Sequence, residues 1–343
     1  MIPRCDVRLA APEDAAAWDV FADVHASVPA LVSFGWCDAI ASVYGIPVLR
    51  FLATDRAGAI VGCCPAYVAR DGVLYSFRYG LVAMDDAVAA ALLAAVRSEA
   101  DARRIPAALV TSGPVHFAVA GATREKETVV MPIAASGGEM WSALRNKTRN
   151  MIRRAERSGC TVRAGRAGDL DAFYRCYARR MLAKGVPIHS REFFAMVLAA
   201  RPHDTELHIV ERDGAIIAGM FLCVGPRRAV YPFAAALPGS DAYAPMQLLM
   251  WEALRRCVAR RIPLLDMGES SVSGSVHASK VHFGGVAEPM TYYAMACSVT
   301  PERSIAQRAH AAAMSAACIG MRILPAPFST RLGVAVKKCG RLV

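Results

Sequence analysis

Leu248-Leu-Met-Trp-Glu-Ala-Leu-Arg-Arg-Cys-Val-Ala-Arg-Arg-Ile-Pro-Leu-Leu-Asp266 is the stretch on which the reading of this chain turns. Leu248, Trp251, Leu254 and Val258 set an apolar stripe at three- and four-residue spacing, with Arg255, Arg256 and Arg260 largely on the other side, which predicts an amphipathic helix. Pro263 stops that helix, and Leu264-Leu-Asp-Met267 then reads as a buried strand. Nearly the same text stands earlier, from Leu92 to Val110, and carries the same Ala-Arg-Arg-Ile-Pro.

A second pair of segments precedes the first pair. Ala53-Thr-Asp-Arg-Ala-Gly-Ala-Ile-Val-Gly62 and Val210-Glu-Arg-Asp-Gly-Ala-Ile-Ile-Ala-Gly219 both read as β-hairpins, two apolar runs joined by a charged turn closing on glycine. The hairpin glycines Gly58 and Gly214 stand 156 residues apart, and Ile105 and Ile262 stand 157 apart. Hairpin and helix thus keep their register over some fifty residues, which points to an internal duplication. Each repeat reads hairpin, strand, helix, strand, so the fold class is α/β (α+β), mixed sheets with helices packed on them. We expect a first domain over 1–130, a second over 131–298 and a basic tail over 299–343, hinged near Glu125 to Gly138. Further helices are expected at Glu13 to Asp23, Phe34 to Tyr44, Gly138 to Ser158, Leu170 to Lys184 and Ser190 to Ala199.

The composition, 55% apolar and 20% charged in 343 residues, belongs to a globular protein with an ample core. Arg4, Asp6, Arg8, Glu13 and Asp14 stand where a secretory leader would be apolar, and no apolar run is long enough to span a membrane. The eleven cysteines are scattered, with no CxxC pair, and fit reduced, buried thiols in a cytoplasmic protein. The net charge of +11 is concentrated in two places. Between Trp141 and Arg191 there are 13 Lys/Arg against three acids, and from Pro301 onward seven against Glu302 alone. Such localisation points to polyanionic partners for two segments.

Arg145, Arg149, Arg153 and Arg157 recur every four residues and so share a helix face, flanked by Lys147 and Arg154. Guanidinium groups bind phosphate oxygens in pairs, so this face suits a tRNA backbone or a nucleotide-sugar diphosphate; a solvated surface is the alternative. Asp266, Glu269, Ser270 and Ser271 fall at the carboxyl end of the predicted strand, where ligands collect in open α/β sheets. A carboxylate there orients or deprotonates an amine, or else caps a turn. Tyr231 and Tyr243 position an amine or carbonyl, or are core with a satisfied hydroxyl. His189, His277 and His282 have no metal-ligand spacing, and neither a GxSxG elbow nor a GxxxxGK[ST] loop is present, so a metal site, a covalent serine and a P-loop are not expected.

Hairpin, strand, helix and strand in that order resembles the GNAT acyltransferase fold. Two such units joined by a basic helix resemble the Fem-type transferases, which include aminoacyl-tRNA-dependent enzymes acting on peptidoglycan precursors. The likeness rests on Trp36 to Tyr44, on Leu144 to Glu156, on Phe173 to Pro187 with Phe193-Phe194, and on Asp266-Met-Gly-Glu-Ser-Ser271 through Gly274, Lys280 and Phe283-Gly284. It implies tandem GNAT-like domains and an active-site role for Lys280, which by itself reads as a surface lysine. Glu269 stands where relatives often have Arg, and Ser279 where they have an aromatic residue, which implies a pocket adapted to another substrate.

Coenzyme A-dependent GNAT enzymes grip the diphosphate with a [QR]xxGx[GA] turn. The matching loops here, Gly80 to Asp86 and Leu237 to Met246, lack it and carry acids. The expected activity is therefore transfer of an aminoacyl group from aminoacyl-tRNA to an amine of a cell-envelope precursor, with no cofactor beyond the donor. Acyl-coenzyme A or an acyl carrier protein is the alternative donor, acting on an amino sugar or amino-acid derivative. A third reading is a non-catalytic module that binds RNA or membrane. The tail reads as a helix on an anionic membrane near a lipid-linked acceptor, or as an ordinary packed helix.

Overall fold

The computed structural model describes residues 5–270, 274–297, 314, 316–322 and 325–337. In chain order its elements begin with β1 (Asp6–Leu9), α1 (Ala15–His25), α2 (Pro29–Val32), α3 (Phe34–Tyr44) and the hairpin β2 (Val48–Thr54) and β3 (Ile60–Val68). Then come β4 (Val73–Ser76), β5 (Val82–Ala83), α4 (Asp86–Ala102), β6 (Ala107–Gly113) and β7 (Ala122–Pro132). α5 (Gly137–Ala143), α6 (Asn146–Arg157), β8 (Thr161–Ala164), α7 (Leu170–Ala183) and α8 (Arg191–Ala200) lead to the second hairpin, β9 (Thr205–Arg212) and β10 (Ala215–Val224). β11 (Ala229–Ala236), α9 (Pro245–Ala259), β12 (Leu264–Ser270), α10 (Ser275–Phe283), β13 (Val286–Ala296) and α11 (Ala326–Lys337) complete the order.

The described residues divide into two compact units, and these are not the consecutive segments that the sequence suggests. The first holds the residues up to Glu125 and takes in Pro289 onward from β13; the second holds Lys126–Glu288 and Cys318–Gly333. Apart from the short β5, which pairs with β3 in the first unit, each unit repeats the strand pairing of the other. In the first, β1, β2, β3 and β4 pair antiparallel in turn, β4 pairs parallel with β6, and β6 pairs antiparallel with β13. In the second, β8, β9, β10 and β11 pair antiparallel, β11 pairs parallel with β12, and β12 pairs antiparallel with β7. The last strand of each sheet is therefore supplied by the strand that follows the other repeat. Sequence similarity could not show this, because β7 and β13 lie outside the matched text.

The repeated Ala-Arg-Arg-Ile-Pro has a local cause. Arg104 and Arg261 adopt φ of 57° and 55°, the left-handed region. Behind them the Ile105 and Ile262 amides reach back to the carbonyls of Ala100 and Cys257 at 2.8 and 2.9 Å, closing both helices with the same six-residue hydrogen bond. A further repeat was not visible in the text. Asp14 and Asp169 each sit six residues after an arginine, Arg8 or Arg163, that donates to both carboxylate oxygens. Each also accepts from the backbone three residues before it, at 2.7 Å. The Arg8 hydrogen bond holds the Asp14 carboxyl down at about 2.

Strand alternation fills both faces of each sheet. Met220 and Leu222 pack under α9, while Phe221 between them faces Phe173 of α7 and Phe194 of α8. Cys63 and Cys64 likewise belong to different cores, one with Trp18 and Phe21, the other with Leu92 of α4. The ten described cysteines are free thiols, and burial pushes Cys37 and Cys64 up to about 12.

The helix expected from Gly138 to Ser158 is two helices. Leu144 and Arg145 leave the helical region, with ψ of 141° and 146°, and Leu144 is buried by the break.

Candidate active site

The carboxyl ends of β11 and β12 part company early. Their parallel pairing covers only Ala229 with Leu265 and Val230 with Asp266. Beyond that point the strands continue to Ala236 and Ser270, and a cavity of about 310 Å³ opens, with Tyr231 and Ala236 from β11 and Met267 from β12 in its wall. Arg180 enters from α7 and Lys184 from just past its end, Asp241 from the turn before α9, Met246, Gln247 and Met250 from α9, and Lys280 from α10.

Lys280 is 9% exposed, not the surface lysine that its sequence context alone suggests. Its Nζ donates to the Gly268 carbonyl at 2.7 Å, with the Glu269 carbonyl at 3.4 Å and the Ser270 hydroxyl at 3.3 Å. The last turn of α10, where carbonyls gather, suits its positive charge.

Asp266 is fully buried and does not line the cavity. Its Oδ1 accepts from the Thr128 hydroxyl at 2.5 Å and from the Gly268 amide at 2.7 Å; its Oδ2 accepts from Arg228 at 2.9 Å. Arg228 also reaches Glu288 at 2.9 Å. Both oxygens are thus taken up by fixed donors, and the hold on the Gly268 amide is the turn-capping alternative of the sequence reading. What it does is hold a bulge. Pairing of β12 with β7 slips between Asp266 and Glu269, and Gly268 sits there at φ 87°, a conformation costly for any residue with a Cβ. The carboxylate grips the Gly268 amide, and the Gly268 carbonyl receives Lys280. Arg228 and Thr128 carry no sequence signal that would have marked them.

The other expected residues separate. Tyr231 lines the cavity. Tyr243 does not: it is a platform for Arg212, whose guanidinium lies 3.9 Å over its ring. Glu269 makes an ion pair with Lys126 at 3.0 Å, and Ser270 faces Lys280. Ser271 lies outside the described residues. His189 stacks on Phe193, and His277 stands 3.3 Å from Glu127.

The basic helix is only partly free. Arg145, Lys147, Arg153, Arg154 and Arg157 are exposed. Arg149 is half-buried and folds back to the Trp141 and Ser142 carbonyls that end α5, at 3.5 and 3.3 Å, closing the helix break. Arg153 lies 5.4 Å over the Trp141 ring. None of these arginines lines the cavity, so the structure does not bring the basic face and Lys280 together in one pocket.

The acids of the two loops are engaged within the fold. Asp85 caps its own helix α4, accepting from the Val88 amide at 2.8 Å. Asp241 is held by Arg180 at 2.7 Å, and Arg180 also donates to the Ala236 carbonyl at 2.8 Å. α9 begins with Pro245 after a left-handed Ala244, with no side-chain cap. The amino end of α9 is therefore left uncapped beside the cavity, its acid neutralised, whereas the amino end of α4 is closed by its own residue.

Residues 142–273, all within the second unit, match the family model described as "Acetyltransferase (GNAT) domain". No curated protein is significantly similar in sequence. Among solved structures the chain is similar to FemX, with a TM-score of 0.66 at 14% identity over 84% of this chain and 97% of that one. It is similar to the C-terminal domain of a putative lysylphosphatidylglycerol synthetase from Agrobacterium fabrum, with a TM-score of 0.57 at 14% identity over 88% and 96%. A tandem GNAT protein from the clavulanic acid biosynthesis pathway matches with a TM-score of 0.52 at 12% identity over 87% and 99%. The chain shares its fold with FemX and with that tandem GNAT protein.

Proposed function

From a chain with the tandem GNAT-type fold of acyltransferases, we propose an enzyme that moves an acyl group, in the first reading an aminoacyl group from aminoacyl-tRNA, onto an amine of a cell-envelope precursor or related small molecule. The observation that carries this is the buried Lys280 at the opening between β11 and β12, its Nζ 2.7 Å from the Gly268 carbonyl. The donor's carbonyl enters the cavity, and the amine nitrogen attacks the carbonyl carbon. A C–N bond forms, the ester C–O bond breaks, and the proton shed by the amine goes to the departing ribose oxygen. The Lys280 ammonium stabilises the oxygen that carries negative charge on the way, and Tyr231 positions the amine. A donor that uses both this cavity and the exposed arginines of α6 must extend beyond the cavity, which favours a tRNA. A cytoplasmic site of action, with the basic tail against an anionic membrane, completes the proposal; the exposed Phe328 and Arg331 on α11 support the contact. Most of the tail lies outside the described residues.

One observation favours the thioester alternative: the uncapped start of α9 beside the cavity, with Asp241 neutralised by Arg180, suits a diphosphate such as that of coenzyme A. The test is transfer of radiolabelled aminoacyl groups to amines of a cell extract, with and without RNase, beside an assay of free thiol release from acyl-coenzyme A. RNase-sensitive transfer supports the first reading. RNase-indifferent transfer with thiol release selects the second, and neither signal overturns both.

A further inference from the structure

The cavity wall says more about the transferred group than the fold does. Met246 and Met250 stand one turn apart on α9, Met267 projects from β12, and Phe283 closes the row from α10. Three thioethers and a ring make a wall that is apolar and adaptable, because methionine has three rotatable bonds and a polarisable sulfur. Into the same space come three cations, Arg180 from α7, Lys184 from just past its end and Lys280 from α10, against one carboxylate, Asp241, which Arg180 already holds.

A cationic side chain laid among the methionines loses its water to thioethers and meets like charge at once, two costs of the same sign. A polar neutral side chain among the methionines loses hydrogen bonds that they cannot return, with Tyr231, Gln247 and Ser279 as the neutral polar partners elsewhere in the wall. An apolar group suffers neither, and each methylene it buries adds favourable transfer free energy. Resting on the transfer reading above, we infer that the side chain or acyl tail of the group transferred is uncharged and apolar, with the anionic part of its carrier toward Lys184 and Arg180, so that a lysyl or arginyl side chain is refused. The shared chemistry is an acyl group with an apolar side chain or tail on a phosphate-bearing carrier, and it has two sources, an aminoacyl-tRNA with an apolar side chain or an acyl thioester of a phosphopantetheine carrier.

The full chain is titrated calorimetrically with linear alkyl phosphates from ethyl to octyl and with alkyltrimethylammonium ions of the same lengths. The phosphates should tighten by up to about fourfold per methylene, the equivalent of ~0.8 kcal/mol. The ammonium ions should not bind. Val276 lines the cavity yet is 52% exposed, so Val276→Asp should fold, weaken octyl phosphate at least tenfold, and leave Tm unchanged. Should that variant unfold, the wild-type series decides alone. Affinity flat in chain length, or ammonium ions that bind as tightly as phosphates, overturns the inference. Leucyl-tRNA and octanoyl-coenzyme A, run as donors, distinguish the sources. A normal alkyl phosphate series without transfer from either donor sinks the transfer reading and leaves the cavity assignment standing.

Discussion

Asp266→Ala should cost the protein about 3–5 kcal/mol of stability, the range for removing one partner of a buried ion pair. The carboxylate is wholly inaccessible and the Arg228 side chain is 8% exposed, so water cannot replace the lost partner. The Thr128 hydroxyl and the Gly268 amide lose their acceptor in the same step. Arg228 keeps Glu288 at 2.9 Å, which places the expected loss toward the lower end, near ~3 kcal/mol. Asp266→Asn retains an acceptor oxygen but no charge, and should lose about 1.5–3 kcal/mol, the worth of a charged hydrogen bond. Urea unfolding of the full chain at pH 7, followed by far-ultraviolet circular dichroism, measures both. The order wild type, Asn, Ala is expected in the midpoints. An Asp266→Ala protein within 1 kcal/mol of wild type that has nevertheless lost transfer would refute the reasoning and restore Asp266 as a catalytic base.

Burial alone would raise the Glu206 carboxyl, but hydrogen bonds from His208 and Arg256 hold it down at about 2. A depressed folded-state value means stability that is present above the unfolded value near 4.5 and lost as pH falls toward 2. Glu206→Gln should therefore flatten the stability–pH profile between 4.5 and 2; an unchanged profile would count against the pairing. Arg104→Gly and Arg261→Gly should each stabilise by up to ~1 kcal/mol in thermal melts, since a left-handed residue strains any side chain. Gly285→Ala should destabilise by about 1–3 kcal/mol and lower transfer, because the added Cβ would stand 2.3 Å from Met267 and 2.4 Å from Val129, beneath the end of α10. Replacing exposed Arg145, Lys147 and Arg154 with Glu should weaken RNA binding and shallow its salt dependence, by roughly 0.7 in the log–log slope per lost phosphate contact, whereas Arg149→Ala should chiefly lower Tm.

Much of the architecture was legible because its signals are local. Hairpin glycines, a stripe at helical spacing and a proline after Ala-Arg-Arg-Ile mark turns, helices and stops within a few residues of chain, and their recurrence exposed the duplication. Phe34 to Tyr44 is helical as expected. The helix from Gly138 to Ser158 was drawn too long because its break follows from burying Leu144 and from Arg149 reaching back over α5. No periodicity encodes those contacts.

The site divides the same way. The motif singles out Lys280 and strand position singles out Tyr231, and both line the cavity. Asp266 was placed at the correct strand end, but its environment depends on Thr128, 138 residues away, and on Arg228, 38 away. The sequence by itself determined the repeats, their elements and the concentration of positive charge, all of which are short-range or additive properties of the chain. Only the tertiary structure decided that β7 and β13 change places between the two repeats, that β11 and β12 separate after two paired positions, and that Arg228, Thr128 and the Gly268 amide enclose the Asp266 carboxylate. Those outcomes rest on contacts between residues far apart in the chain, where burial and pairing, not neighbouring text, set what each side chain can do.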